Sequence, residues 1–224
     1  MKQKRTERTG NERDGDAPGP ASGITLIVIS AGEDEASENI GGWLRAIVDW
    51  EEGPEVEGVP SWRCADVRLW WRWGRQLQED CLDDRWEEET GEKVKQTIHL
   101  TRHTSKNCVP MVTIHAFGNP QLLWDEDPPE GGTAGLAVPP APGMAQWYRA
   151  LVRLAREAEI QEWETHLEAT HRGPSQEGPA MAIELGSNEE HWRSGEGGAL
   201  IALLVAEELG LEHRNPFGER GALR

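Results

Sequence analysis

The sequence predicts an α/β protein of three layers, in which helices cover both faces of a largely parallel or mixed sheet. Two observations support this fold class. Short apolar runs rich in β-branched residues alternate along the chain with stretches of helical periodicity. The first of these runs, ITLIVI at residues 24–29, is apolar without interruption, which is typical of a strand buried on both faces.

A helix is predicted directly after the first strand. Its apolar residues recur at helical spacing, at Ile40, Trp43, Leu44, Ile47 and Val48. Ser37 precedes this stripe and is expected to cap the helix, because a serine hydroxyl can accept a hydrogen bond from the first turn. Residues 51–60 then form a predicted loop.

Further strands are predicted from alternating apolar residues, at 65–73, 96–101, 110–115, 162–170 and 180–185. The acidic stretch 82–93 is interpreted as a solvated helix or loop. Helical periodicity returns at residues 144–160 and 197–209. Between these elements, residues 116–143 hold many glycines and prolines and show no period, which predicts a long loop of functional importance or high mobility.

One domain is expected over residues 23–210. Residues 1–22 are polar and lack hydrophobic periodicity, so they are predicted to be a disordered tail. Residues 211–224 also lack a pattern and are expected to form an irregular C-terminal tail.

The chain is strongly acidic, with 40 Asp and Glu against 23 Lys and Arg and a net charge of -17. Such a charge argues against non-specific binding to DNA or other nucleic acids, because neutralising phosphates needs clustered Lys and Arg. It leaves room for a local basic pocket that holds one anion. The 11 tryptophans, against two Phe and one Tyr, are expected to supply much of the apolar burial.

The cellular setting is predicted from what the sequence lacks. Three cysteines without CxxC spacing indicate neither a disulfide framework nor a zinc ribbon, and fit a reducing interior. No apolar run approaches the roughly 20 residues that span a bilayer, so no membrane partner is expected. The N-terminal residues lack the apolar core of a signal peptide. We therefore expect a cytoplasmic protein.

Polar residues cluster where predicted strands end, and this clustering points to the functional site. They are Arg102, His103, Thr104, Ser105, His115, Gly118, Asn119, Glu168, His171, Arg172, Gly173, Glu184, Gly186, Ser187 and Glu189. Ligands of open α/β sheets bind outside the carboxyl ends of the strands. The sequence therefore predicts that four strand ends meet in one crevice.

Two kinds of chemistry suit these residues. His103, His115 and His171, with Glu168 or Glu184, offer the ligands that zinc prefers. Alternatively, one histidine acts as a general base that a carboxylate orients. A single histidine near a strand end is more often structural than functional. Glu184 is harder to explain in that way, because a carboxylate inside an apolar strand is costly to bury unless it is paired.

Four motifs, taken in order, resemble the archaeal and plant type of D-aminoacyl-tRNA deacylase over roughly residues 24–209. Members of that family carry Ser-Arg-His-Ser-Ser, Thr-Val-His-x-x-Gly-Asn, Glu-Ala-Thr-His-His-Gly-Pro and Val-Glu-Ile-Gly-Ser-Thr-Glu-x-x-Trp elements. The corresponding residues here are 101–105, 113–119, 168–174 and 183–192. Four ordered motifs are much more specific than any one of them.

The resemblance implies a monomeric enzyme with a phosphorylase/hydrolase-like core and zinc as its cofactor. It would hydrolyse the ester between a D-amino acid and the 3′ end of tRNA, which protects translation. The implied catalytic residues are His171, Glu168, Glu184 and Arg172. The implied metal ligands are His103, His115 and His171. Substrate contacts are expected from Arg102, Thr104, Ser105, Gly118, Asn119, Gly173, Gly186, Ser187 and Glu189.

The chain departs from the family pattern in two places. Arg172 stands where family members carry the second histidine of a pair, and an always-charged arginine cannot replace a metal ligand or a base. Family members also continue into a Gly-Gly-x-His-Tyr element that these 224 residues lack. Impaired activity would follow. Two alternatives therefore accompany the deacylase: an inactive relative that binds tRNA ends or another ligand, and a small-molecule enzyme on a nucleoside-phosphorylase-like core.

Overall fold

A computed structural model of the chain describes residues 22–160 and 162–218. The predicted tail at residues 1–22 lies outside this part, except for residue 22. The strands are β1 (Ile24–Ala31), β2 (Glu51–Glu52), β3 (Ser61–Cys64), β4 (Val67–Trp73), β5 (Val94–Thr104), β6 (Met111–His115), β7 (Glu164–Leu167) and β8 (Ala180–Ser187). The helices are α1 (Glu35–Ile47), α2 (Leu82–Thr90), α3 (Met144–Glu157), α4 (Glu189–Trp192) and α5 (Gly195–Glu208).

The strands form one mixed sheet with the order β2-β3-β4-β1-β5-β8-β6-β7. Its centre is parallel, because β4, β1, β5 and β8 run in the same direction. The strand β6 is antiparallel to β8, and β7 follows the direction of β6. The direction of the sheet therefore reverses between β8 and β6, and this reversal positions the functional site.

The two faces of the sheet are covered differently. On one face, α1, α3 and α5 bury the main core, to which Ile27, Leu100 and Ile183 of the central strands contribute. On the other face, Trp70 packs against Trp86 of α2, with ring centroids 5.5 Å apart. Irregular chain from the long loop completes that layer. The predicted α/β class with three layers and a mixed sheet is confirmed.

Helix α1 begins differently from the prediction. Asp34 is its N-cap, and Asp34 Oδ1 accepts a hydrogen bond of 2.9 Å from the Ser37 amide. The predicted cap at Ser37 is wrong, because Ser37 lies inside the first turn and its buried hydroxyl accepts from the Ser30 amide at 2.8 Å. Asp34 Oδ2 also accepts from Thr101 Oγ1 at 2.7 Å. The cap therefore ties the start of α1 to β5.

Several element bounds also differ from the prediction. The strand β5 continues through Arg102 and Thr104, and β8 continues to Ser187, so residues expected after these strands lie within them. The strands β2 and β3 and the short helix α4 were not predicted. The acidic stretch after residue 82 forms α2, with Trp86 fully buried rather than solvated. Short or polar segments carry too little periodicity to be recognised.

The C-terminal residues that the structure describes pack onto the domain. Leu211 is buried in the main core, and the Arg214 amide donates to the Ile47 carbonyl at 2.8 Å. Residues 211–218 are irregular, as predicted, and they pack against the C-terminal end of α1. Within residues 22–160 and 162–218, the helices are too short or too polar to cross a lipid bilayer.

His99 is a fully buried histidine on β5. Its altered pKa makes the free energy of unfolding depend on pH. Burial lowers the pKa of His99 to about 4, and the nearby Gln176 amide offsets only part of this effect. The unfolded chain takes up the proton near 6.5. The free energy of unfolding should therefore fall as the pH drops from 6.5 to 4, by up to about 3 kcal/mol.

A His99→Leu variant should lose this part of the pH dependence, because leucine cannot take up a proton. Neither ring nitrogen of His99 has a hydrogen-bond partner among the described residues, so the substitution breaks no hydrogen bond there. The measurement is the free energy of urea unfolding at several pH values between 4 and 7. His166→Leu, at a histidine whose side chain is 48% exposed, is the control and should behave like the wild type. An unchanged pH profile in His99→Leu would contradict the interpretation.

Candidate active site

Three of the predicted site residues, His103, His115 and Glu184, meet with other polar residues on one face of the sheet, opposite the layer of α1, α3 and α5. Alternate residues of β5, β6 and β8 point to this face, while Leu100, Ile114 and Ile183 between them enter the main core. The polar members are His99, Thr101, His103, Thr113, His115 and Glu184. All six are buried, so the strands carry a line of enclosed polar groups.

The predicted crevice at four strand ends is corrected by this arrangement. Because β6 is antiparallel to β8, its last residue, His115, lies opposite Ala182, the third residue of β8. His103 lies opposite Gly186 on the other side of β8. Glu184 is therefore flanked by a histidine from each neighbouring strand, and the side chains converge on the face of the sheet rather than at its edge.

Glu184 is the centre of the cluster, and its side chain is fully buried. Its Oε2 accepts hydrogen bonds from His103 Nδ1 at 2.9 Å and Thr113 Oγ1 at 3.3 Å. Its Oε1 accepts one from His115 Nε2 at 3.2 Å. Burial raises the pKa of Glu184, but the hydrogen bonds from the two histidines and the charge of Arg172 outweigh it and hold this pKa well below its usual range. Glu184 is therefore ionised at neutral pH.

The histidines around Glu184 have different environments. The hydrogen bond to Glu184 raises the pKa of His103. Burial and the neighbouring His115 lower the pKa of His171. The rings of His171 and His115 are stacked, with centroids 4.1 Å apart. His171 Nδ1 donates to the Ala169 carbonyl at 2.8 Å, which leaves Nε2 as the nitrogen with a lone pair. The cluster therefore contains one histidine whose pKa is raised, His103, and one whose pKa is lowered, His171.

Glu168 joins this cluster from the segment after β7. Its Oε2 lies 3.9 Å from His103 Nδ1. This oxygen is buried and has no hydrogen-bond partner in the described part of the chain. Glu168 belongs to two groups of possible metal ligands. One group is His115, Glu168 and His171, and the other is His103, Glu168 and Glu184. Within each group the ligand atoms lie within 4.8 Å of one another. The structure thus groups the ligands differently from the predicted set of three histidines.

Arg172 approaches Glu184 from a strained turn. Its Nη2 lies 3.8 Å from Glu184 Oε1, and its Nη1 lies 3.7 Å from Glu130 Oε2. The φ angle of Arg172 is 32°, in the left-handed region that few non-glycine residues adopt. Such strain persists only where the surroundings enforce it, and it is frequent at functional sites. The backbone therefore holds this guanidinium against the buried carboxylate.

The predicted substrate-binding residues fall into three groups. Arg102 and Thr104 line a pocket beside the cluster, together with Arg172. Gly118, Asn119, Gly173, Gly186 and Ser187 support the local backbone: the Ser187 hydroxyl donates to the Val109 carbonyl, and Gly186 packs against the backbone of His103. Ser105 donates its amide to the Ser187 carbonyl, and Glu189 is exposed at the start of α4.

Several residues of the site were not predicted from the sequence. Thr113 contacts Glu184 directly, and its spacing of two from His115 in a strand was a signal that both share a face. Arg75, Gln76 and Glu130 line the pocket with Arg102. They lie outside the strands and long helices, where no periodicity indicated their role.

Gly173 follows Arg172 in a tightly packed turn, and a substitution at this glycine tests that packing. Its φ angle is +103°, and an added Cβ would lie 2.2 Å from Cδ1 of Phe117. Phe117 is fully buried, and its edge-on contact with the His115 ring, at 5.5 Å, would be disturbed. Gly173→Ala should therefore lower the free energy of unfolding by about 3 kcal/mol.

The matched control is Gly58→Ala, where φ is also positive, at +74°, but an added Cβ meets no atom within 4 Å. That variant should cost only about 1 kcal/mol, which is the backbone strain alone. Urea unfolding compares the two. Equal losses of unfolding free energy in the two variants would show that a clash with Phe117 does not contribute to the cost at Gly173.

Comparisons with known proteins identify the family to which the chain is similar. A family model described as D-aminoacyl-tRNA deacylase matches residues 90–218. The D-aminoacyl-tRNA deacylase of Arabidopsis thaliana is 38% identical over 198 residues, which are 88% of this chain and 62% of that protein. The D-aminoacyl-tRNA deacylase of Pyrococcus horikoshii is 29% identical over 79% of this chain and 62% of that protein. The chain thus spans 62% of the length of each of these two relatives.

A solved structure has the same fold. The crystal structure of AF0625, a conserved protein of unknown function, superposes with a TM-score of 0.70 at 26% sequence identity. The match covers 82% of this chain and 62% of that one. The family model alone covers more than half of the present chain, and it includes every predicted site residue. The chain belongs to the D-aminoacyl-tRNA deacylase family.

Proposed function

We propose that this chain hydrolyses the ester bond of D-aminoacyl-tRNA, which releases the D-amino acid and free tRNA during quality control of translation. Membership of the family supports the substrate class. The observation that carries the proposal is the buried, ionised Glu184, which holds His103 and His115 while His171 and Arg172 lie next to it. A monomer acting in the cytoplasm, where translation uses tRNA, is part of the proposal.

Zinc is the proposed cofactor, and the residues fit it. His115, Glu168 and His171 offer two imidazoles and one carboxylate, a donor set known from catalytic zinc sites. The buried oxygen of Glu168 that lacks a partner among the described residues is an available ligand atom. When bound, zinc would supply an activated water and polarise the ester carbonyl.

Glu184 has a positioning role in this proposal. It accepts hydrogen bonds from one imidazole on each neighbouring strand, which fixes the orientation of both rings. This contact raises the pKa of His103, and its Nε2 makes no hydrogen bond to another described residue. We assign to His103 the transfer of a proton to the ribose oxygen that leaves when the ester is cleaved.

Arg172 stabilises negative charge in the same proposal. Its guanidinium lies at the rim of the cluster, with its side chain 30% exposed, so a bound ester oxygen can reach it. The candidate metal group uses His115, Glu168 and His171 and does not need a histidine at position 172. The arginine therefore does not by itself favour an inactive relative.

The direct test uses purified protein with D- and L-aminoacyl-tRNA in the presence of zinc. Glu184→Gln and His171→Ala should each lower kcat/KM for the D-ester about 100-fold or more, because each removes a group of the reacting centre. His166→Ala, at an exposed histidine of β7, should leave the rate unchanged. Absence of hydrolysis of both esters at high protein concentration would contradict the proposed function.

Metal binding can be measured without any substrate. Competition with a chromophoric chelator should show one zinc bound per chain, and Glu168→Gln should weaken this binding at least tenfold. Glu164→Gln replaces an exposed carboxylate at the first residue of β7, outside the candidate metal groups, and should leave zinc affinity unchanged. Full activity of metal-free protein, or equal zinc affinity in both variants, would rule out the proposed site.

A further inference from the structure

A second feature adjoins the Glu184 cluster: a pocket of about 80 Å³ that contains three arginines. We call it the arginine pocket and define it by Arg75, Arg102 and Arg172. These residues come from three separate segments: Arg75 follows β4, Arg102 lies on β5, and Arg172 lies in the turn after β7. A concentration of guanidinium groups in one pocket is unexpected in a chain with 40 acidic and 23 basic residues. It points to an anionic ligand.

The two acidic residues that line the arginine pocket do not neutralise it. Asp34 is occupied by structural contacts, since it caps α1 and accepts hydrogen bonds from Thr101 Oγ1 and the Arg102 amide. Glu130 lies 3.1 Å from Arg75 and 3.7 Å from Arg172 and is shared between them. Arg172 lies between the carboxylates of Glu130 and Glu184. The guanidinium of Arg102, in contrast, donates to the Glu33 carbonyl at 3.2 Å and forms no salt bridge with a carboxylate of the described residues. Arg102 therefore leaves a positive charge in the pocket without a contacting counter-charge.

Unused hydrogen-bonding groups show that the contacts around the pocket are incomplete. The Nε–H of Arg172 is buried and has no acceptor within the described residues. Gln76 is almost fully buried and lines the same pocket. Its amide nitrogen donates to the Leu100 carbonyl at 2.6 Å, whereas its Oε1 has no donor from the part of the chain that is described. A ligand with both an anionic oxygen and a hydroxyl or amino donor would satisfy these groups.

The position of Arg172 links the pocket to the reacting centre. One end of its guanidinium contacts Glu184, and the other faces Glu130 within the pocket. A ligand anchored in the pocket would therefore present its next atoms to the Glu184 cluster. In an aminoacyl ester the amino acid has no free carboxylate, so the anion nearest the ester is the phosphate of the nucleotide that carries it.

We infer that the arginine pocket binds the 5′-phosphate of the terminal nucleotide of the tRNA, and so places the ester of that nucleotide at Glu184. Arginine suits this role because its planar fork can donate two hydrogen bonds to one phosphate. Gln76 Oε1 would accept a hydrogen bond from a donor group of the same nucleotide. The inference rests on the proposed function and names the part of the substrate that this site recognises.

Equilibrium binding of three small probes tests the inference: 5′-AMP, adenosine and inorganic phosphate. Titration of the full chain by NMR or calorimetry should show AMP binding roughly tenfold more tightly than adenosine or phosphate alone. Arg75→Ala and Arg102→Ala should each remove most of the advantage of AMP over adenosine. Arg75→Lys should retain only part of it, because lysine keeps the charge but loses the fork.

Arg63→Ala is the matched control. Arg63 lies on β3 and pairs with Glu51, its side chain is 55% exposed, and it does not line the pocket. This variant should bind AMP like the wild type. Circular dichroism and thermal unfolding identify any variant that fails to fold, and the two alanine variants at different positions guard against that outcome.

Three results would overturn the inference. Equal affinity for AMP and adenosine would show that the phosphate makes no contact. Inorganic phosphate that binds as tightly as AMP would indicate a site for free phosphate instead of a nucleotide. Folded Arg75→Ala and Arg102→Ala that keep the full advantage of AMP would place the phosphate elsewhere. None of these measurements depends on hydrolysis, so failure of the inference and failure of the deacylase activity can be told apart.

Discussion

The site depends on one interaction, the burial of the Glu184 carboxylate in the middle of the sheet. A buried charge without partners is strongly unfavourable, so this residue can stay ionised only if its surroundings supply hydrogen bonds and positive charge. His103, His115, Thr113 and Arg172 supply them from two strands and one turn. Each of these residues is held in place by its contact with Glu184, and the two histidines gain fixed orientations.

The topology of the sheet makes this interaction possible. Because the sheet reverses direction between β8 and β6, residues near the ends of β5 and β6 flank the same stretch of β8. The face they share is covered by irregular chain and α2, whereas the opposite face carries α1, α3 and α5. A loop layer can place single residues such as Arg172 and Glu130 over the cluster, which a regular helix with its fixed spacing does less easily.

Much of the fold was predictable because burial leaves a clear pattern in the sequence. The uninterrupted ITLIVI strand and the amphipathic stripe of α3 both form as expected. Glu184 stood out for a physical reason, since a carboxylate in an apolar strand needs a partner. The direction of β6 was not predictable, because a strand of five residues carries no information about its orientation. Arg75 and Glu130 lie outside periodic segments, so only the folded chain shows that they approach Arg172.

The central claim is that Glu184 and His103 stabilise each other as a buried charged pair, and a double-mutant cycle tests it most directly. Urea unfolding of the wild type, Glu184→Gln, His103→Gln and the double variant at neutral pH gives their coupling free energy. The account predicts that the two single losses exceed the loss in the double variant by about 1 kcal/mol or more. Single losses that add up within about 0.5 kcal/mol would contradict it, because independent residues behave in that way.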